Sequence, residues 1–350
     1  MSPDTRLRGA TGGGTGPWRL TLRRLARDRV GLVSALVVAA FLLLMLGAAT
    51  GLVAGGWSQE TALSYAPPAL GGAATERGEA GDKSATDDLG TRGDAEDLGI
   101  VDPLASDLAE IERAGHLKLA GAKRNSTAPF GADKWGRDVL LKTIKGSETS
   151  ILVGLAAALL ATVIGTLLGA QAGYRGGRVD DALNWLYSVL TSMPYMLLVL
   201  AVAAVLGRKG TLTVILILGL TGWTGIFRLV RAEYMKHRAR EYVLAAQAIG
   251  ASDAQRMFVH ILPNVSHVVL VQLSLHVVLF IKFEVVLSFL GFGVGVDTVS
   301  WGSMLSESQT ELLLGYWWQF AAATGAMAVL VTAFSLFTDS LRDALDGGLQ

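Results

Sequence analysis

The stretch Glu241-Tyr-Val-Leu-Ala-Ala-Gln-Ala-Ile-Gly250-Ala-Ser-Asp-Ala-Gln-Arg-Met-Phe-Val-His260-Ile-Leu-Pro-Asn264 decides how this chain is read. It is polar and helix-forming, yet it lies between two long apolar segments. Tyr242, Ala245, Ala246 and Ile249 fall at i, i+3, i+4 and i+7, the spacing of one helix face. Glu241 occupies the first turn, where a carboxylate suits the helix dipole. Gly250 suits the left-handed conformation that ends a helix. Ser252 then offers an N-cap for a second short helix, with Met257 and Phe258 as its apolar surface. Pro263 is expected to stop that helix. The spacing therefore predicts helix, glycine turn, helix, tethered at both ends. Two readings stand side by side: a pair that docks into a protein groove, or an amphipathic pair lying on a lipid surface. The shallow, small-residue face suits a groove better.

Working outward, the flanks are membrane-like. The chain has 350 residues, 51% of them hydrophobic and 17% charged, with mean hydropathy +0.44. That balance lies outside the soluble norm and points to an all-α polytopic membrane protein. The formal net charge is zero, so no global field favours nucleic acid. Without cysteines there is no disulfide framework, thiolate metal site or Cys nucleophile. A spanning helix needs about 20 apolar residues. Six segments qualify, at about 30–55, 151–172, 183–206, 212–229, 265–290 and 318–337. The basic run Arg19, Arg23, Arg24, Arg27 and Arg29 leads into an apolar stretch too long for a signal peptide, so the first span is read as retained. Pro194 predicts a kink within the third span. In the second, Gly154, Ala158, Ala161, Gly165 and Gly169 recur at helical spacing and suit close packing between helices.

Lys and Arg in short loops set the orientation. The N-terminal segment 1–29, Arg175 and Arg178, the group Arg228, Arg231, Lys236, Arg238, Arg240 and Arg256, and Arg342 all fall on one side of a six-span arrangement. That side is expected to be cytoplasmic, with both termini on it. Arg208 and Lys209 are a mild exception. The expected organisation is a first span at 30–55, an outer loop at 56–147, a transmembrane core at 148–340 holding the cytoplasmic loop 237–264, and a tail at 341–350. Within the outer loop, the acidic, Gly- and Ala-rich stretch 71–99 has no apolar periodicity and reads as a flexible insert. A short helix is expected at 102–111.

With those residues in view, a resemblance becomes specific. The segment Glu241–Asn264 resembles the EAA loop of binding-protein-dependent ABC importer permeases, matching at Ala245, Ala246, Gly250, Ile261, Leu262 and Pro263. Leu244 stands where that pattern has its glutamate, and Glu241 lies one turn earlier. Phe130-Gly-Ala-Asp-Lys-Trp-Gly-Arg-Asp-Val-Leu140 is similar to a signature of the C-type dipeptide, oligopeptide and nickel permease subunits, with Ala132 replacing the usual threonine. Leu287-Ser-Phe-Leu-Gly-Phe-Gly293, Ser300-Trp-Gly-Ser-Met304 and Leu341-Arg-Asp-Ala-Leu-Asp346 extend the match. The resemblance implies the six-helix MetI-like permease fold in a bacterial inner membrane. It implies a second permease subunit, two ATPase subunits and an outer solute-binding protein as partners. ATP and Mg would be bound by the ATPases and no cofactor by this chain. It also implies coupling to the ATPase through Glu241, Ala245, Ala246, Gly250, Ala251, Arg256, Leu262 and Pro263, and a peptide or similar small solute as cargo.

Other residues carry competing readings. Gly131, Asp133, Gly136, Arg137 and Asp138 are turn residues, with Arg137 and Asp138 as local caps or ion pairs; the alternative is an outer loop that gates or contacts the binding protein. Glu284, within the fifth span, is expected to be structural or gating, and its neighbour Lys282 to snorkel. Trp317 and Trp318 read as interfacial anchors. No catalytic constellation is present: Gly81-Asp-Lys-Ser84 is not a P-loop, and there is neither HExxH nor a nucleophile elbow. A channel or membrane-embedded enzyme is the other class considered. A channel predicts polar rings lining a pore, and an enzyme a titratable cluster inside the membrane.

Overall fold

Long apolar segments become helices because a backbone in lipid must satisfy its own hydrogen bonds. The computed structural model describes residues 28–69, 125–295 and 297–346. Its helices are α1 (Arg29–Ala49), α2 (Val139–Arg175), α3 (Gly177–Thr191), α4 (Tyr195–Leu206), α5 (Thr211–Thr221), α6 (Thr224–Arg238), α7 (Glu241–Ala248), α8 (Asp253–Gln255), a π-helical turn (Arg256–Ile261), α9 (Leu262–Phe289), α10 (Trp301–Leu313) and α11 (Trp318–Asp346). Among the described residues no β-strand forms, only isolated bridges such as Glu60 with Arg137. The basic run up to Arg27, the insert 71–99 and the helix expected at 102–111 lie outside these residues.

Among the described residues, five helical stretches are long and apolar enough to cross a membrane: Arg29–Ala49, Val139–Arg175, Thr211–Arg238, Asp253–Phe289 and Trp318–Leu345. A sixth is the pair α3 and α4, if that pair is one span. The expected kink at Pro194 is a break: the two helices meet at 86°. Pro194 adopts ψ 129° at the start of α4 and cannot continue a helical ladder. Pro263 does the reverse of what the sequence suggests. It sits in the first turn of α9 and stops nothing, because the π-helical turn before it carries the helix through and its missing N–H falls where none is needed. Helix α10 had no counterpart among the sequence expectations. Its start is fixed by a capping box in which Ser300 and Ser303 bond each other's backbone N–H.

The chain forms two compact units, one built from residues 28–43, 150–295 and 327–346, the other from residues 44–69, 125–149 and 297–326. In the first, the small-residue stripe of α2 packs backbone to backbone. A Cβ on Gly165, Gly169 or Gly173 would meet a carbonyl oxygen of Trp223, Phe227 or Arg231 at 2.7, 2.8 and 2.4 Å. The stripe at four-residue spacing is therefore a seat for α6. A bidentate ion pair from Arg231 of α6 to Asp180 of α3, at 2.5 and 2.6 Å, ties the amphipathic α3 to the same helix.

In the second unit, the segment 60–69 threads against 125–139 through backbone bonds, including Ala62 N–H to Gly136 O at 3.0 Å and Ala132 N–H to Ala66 O at 2.8 Å. Trp318 is a core residue of this unit rather than an interfacial anchor. It is buried and donates its indole N–H to the Ala132 carbonyl at 2.7 Å. Trp317 beside it is exposed.

Candidate functional site: the loop Glu241–Asn264

Helix α7 ends as its sequence foretells. Gly250 has φ +87°. The Ala251 N–H reaches Ala246 O and the Gly250 N–H reaches Gln247 O, both at 3.0 Å, which is a Schellman closure. Ser252 then caps α8, accepting from the Gln255 N–H while Gln255 Oε1 accepts from the Ser252 N–H.

Of the face expected to dock, Tyr242, Ala245 and Ile249 are free and Ala246 is turned inward. Val243 and Ala246 point inward, whereas Tyr242, Leu244, Ala245 and Ile249 are exposed, Ile249 by 86%. Six of the eight residues between Glu241 and Gly250 are Ala, Leu, Val or Ile, on all sides of the helix, so periodicity alone cannot say which side is rooted. Tertiary packing chooses it: Val243 joins Tyr174, Ile226, Tyr234, Met257 and Ile261 in one hydrophobic cluster. That cluster roots the loop in the ends of α2, α6 and α9.

The π-helical turn is stitched in the same place. Met257 O accepts from Leu262 N–H and from the Tyr234 hydroxyl, the latter at 3.1 Å. Arg256 pairs with Asp253 and lies over the Tyr174 ring, and the Tyr174 hydroxyl donates to Asp253 Oδ1 at 3.0 Å. Arg238 donates to the Tyr174 carbonyl at 2.9 Å. A cleft of about 510 Å³ opens alongside, lined by Arg175, Arg238, Leu244, Gln247 and Arg256 among others. Leu262 is half-buried against the cluster and Pro263 is exposed. Glu241 is exposed in the first turn of α7. The arrangement is a short helix with a free apolar face, fixed rigidly to three long helices.

The remaining sequence candidates fall elsewhere. In the second unit, Asp133 is fully buried; its Oδ1 accepts from the Trp135 and Arg137 N–H groups, and its Oδ2 from Lys142 Nζ at 2.7 Å. Asp138 caps the start of α2 through the Leu140 N–H at 2.7 Å. The Arg137 guanidinium lies over the Trp57 and Trp135 rings. Gly131 and Gly136 both have positive φ in the turns around Asp133. All five lie in the turns that lead into α2. In the first unit, Glu284 is fully buried and accepts from Ser150 Oγ at 2.7 Å and Ser288 Oγ at 2.8 Å, whereas Lys282 is exposed. Lys142, Glu307 and Glu311, which converge in the second unit, escaped sequence reading because they belong to no motif and lie far apart in the chain.

The sequence profile described as "Binding-protein-dependent transport system inner membrane component" matches residues 143–350. The chain belongs to that family. This permease is 38% identical over 221 residues to the oligopeptide transport system permease protein OppC of Bacillus subtilis, covering 63% of this chain and 72% of that one. It is 37% identical over 221 residues to the dipeptide transport system permease protein DppC of the same organism, covering 63% and 69%. To OppC of Escherichia coli K12 it is 36% identical over 247 residues, covering 71% and 81%. Among solved structures it is similar to the MetNI methionine ABC transporter in inward-facing conformations, with a TM-score of 0.48 at 15% identity over 59% of this chain and 97% of that one. This permease is a transport subunit of the inner membrane, not an enzyme.

Proposed function

We propose that this permease forms half of the translocation path of an ATP-driven importer for di- or oligopeptides, and that Glu241–Asn264 is where it takes up the work of ATP hydrolysis. The peptide cargo is supported by the peptide permeases it resembles at 36–38% identity. The partners are a second, similar permease, two ATPase subunits that hold ATP and Mg, and an outer solute-binding protein. Both termini and the loop face the cytoplasm, in keeping with the clustering of Arg and Lys around it. One observation supports the coupling role: Tyr242, Leu244, Ala245 and Ile249 are exposed at α7 while Val243 anchors it to the long helices. A push on the exposed face is transmitted to α2, α6 and α9 as a rigid-body movement, the kind of element alternating access needs.

Copurification tests this reading. Tagged permease expressed beside its candidate ATPases should bring them down in mild detergent. A permease that comes out alone, with the ATPases present and folded, sinks the proposal.

A further inference from the structure

The second unit contains a charge cluster with one carboxyl too many. Lys142, 1% exposed, spends all three ammonium protons: on Asp133 Oδ2 at 2.7 Å, Glu307 Oε2 at 2.6 Å and Gln319 Oε1 at 3.2 Å. One cation thus already serves two carboxylates. Glu311 of α10 is also 1% exposed, and among the described residues neither of its carboxyl oxygens has a hydrogen-bond partner of good geometry. The Lys134 N–H dipole points toward it without closing a bond of good geometry. Its other charged and titratable neighbours are Lys142 from α2, Asp133 from the loop before it, Glu307 one turn back on α10, and Tyr65 from the segment 60–69. Tyr65 stacks on Tyr316 with ring centroids 4.4 Å apart. A buried carboxylate without close donors, beside a cation already shared by two other carboxylates, is costly, and the inexpensive remedy is to keep its proton.

We propose that Glu311 is a proton-binding site, neutral when the second unit is intact, and that releasing this proton weakens the unit. Burial, with Asp133 and Glu307 adding to it and Lys142 opposing, pushes the Glu311 carboxyl from its ordinary 4.5 to about 7. The sign follows. Between 4.5 and about 7 the unfolded chain has released this proton and the folded chain holds it, so stability falls as pH rises through that window and levels off above it. In the proposed topology α10 lies between the last two spans on the outer side, so the pH outside the cell would set the occupancy.

The test is the melting temperature of the permease purified with its partner subunits, from about pH 5 to about pH 8.5, with wild type and Glu311→Gln side by side. The wild type should lose about 3 °C or more relative to the variant as pH rises to about 8. Parallel curves overturn the proposal. Should Glu311→Gln fail to accumulate, infrared difference spectra of the wild type should show a buried protonated carboxyl lost near pH 7; no such loss overturns it equally. Transport in proteoliposomes with pH set separately on each side distinguishes the two readings. A response to the inner pH alone upholds the proton site and overturns the topology.

Discussion

Gly250 is the residue on which the loop turns. It adopts φ +87°, and a Cβ there would meet nothing within 4 Å. The constraint is therefore the backbone conformation itself, and only residues that tolerate the left-handed region should serve. Gly250→Val should cost about 1 kcal/mol or more locally. Its larger effect is to re-aim α7 against α8. Transport and transport-coupled ATP hydrolysis should be lost with membrane insertion intact, and Gly250→Asn should retain both in part, because asparagine tolerates this conformation. Vesicle uptake assays check this, and wild-type uptake by Gly250→Val would contradict it. Gly250 and Ser252 were both legible in the sequence, because caps are local chemistry. Glu311 was not, because its meaning depends on Lys142 being already committed to Asp133 and Glu307.

At the scale of elements, the best-read helix is α2. Its small residues, spaced for close packing, meet α6 as their pattern suggests, with Gly169 facing the Phe227 carbonyl at 2.8 Å from an added Cβ. The neighbour is backbone, which cannot rotate away, so Gly169→Val should force the two helices apart. Overpacking of this kind costs about 1–3 kcal/mol, and the variant should melt several degrees lower than wild type in detergent. An unchanged melting temperature would mean the helices are not in close contact. In α7 the sequence could not say which side roots the helix: Tyr242, Val243, Leu244, Ala245 and Ala246 are apolar or nearly so around the whole helix, and the packing of Val243 with Tyr234 and Met257 decides which side is inside. Pro263 was misread because a π-helical turn is not visible in hydrophobic periodicity. The 86° break at Pro194 shows the same limit: a proline announces a bend but not its angle.

For the whole molecule, composition and hydropathy sufficed for the class, and ordered motifs for the family. The apolar segments were found because a span must be long and apolar. The second unit was harder to foresee, since it is assembled from the segments 44–69 and 125–138, the start of α2, helix α10 and the start of α11, and its core includes Trp318 and a buried ion network rather than a continuous apolar run. The central claim concerns the exposed face of α7, and the chain offers a clean probe of it. There are no native cysteines, and Ile249 is 86% exposed. Ile249→Cys therefore introduces one reactive thiol at the tip of the loop. Labelled with a membrane-permeant maleimide, it should react fast in the permease alone and be strongly protected when the ATPase subunits are bound. Equal labelling rates with and without ATPase would contradict the assignment of this loop as the site where the permease receives its energy.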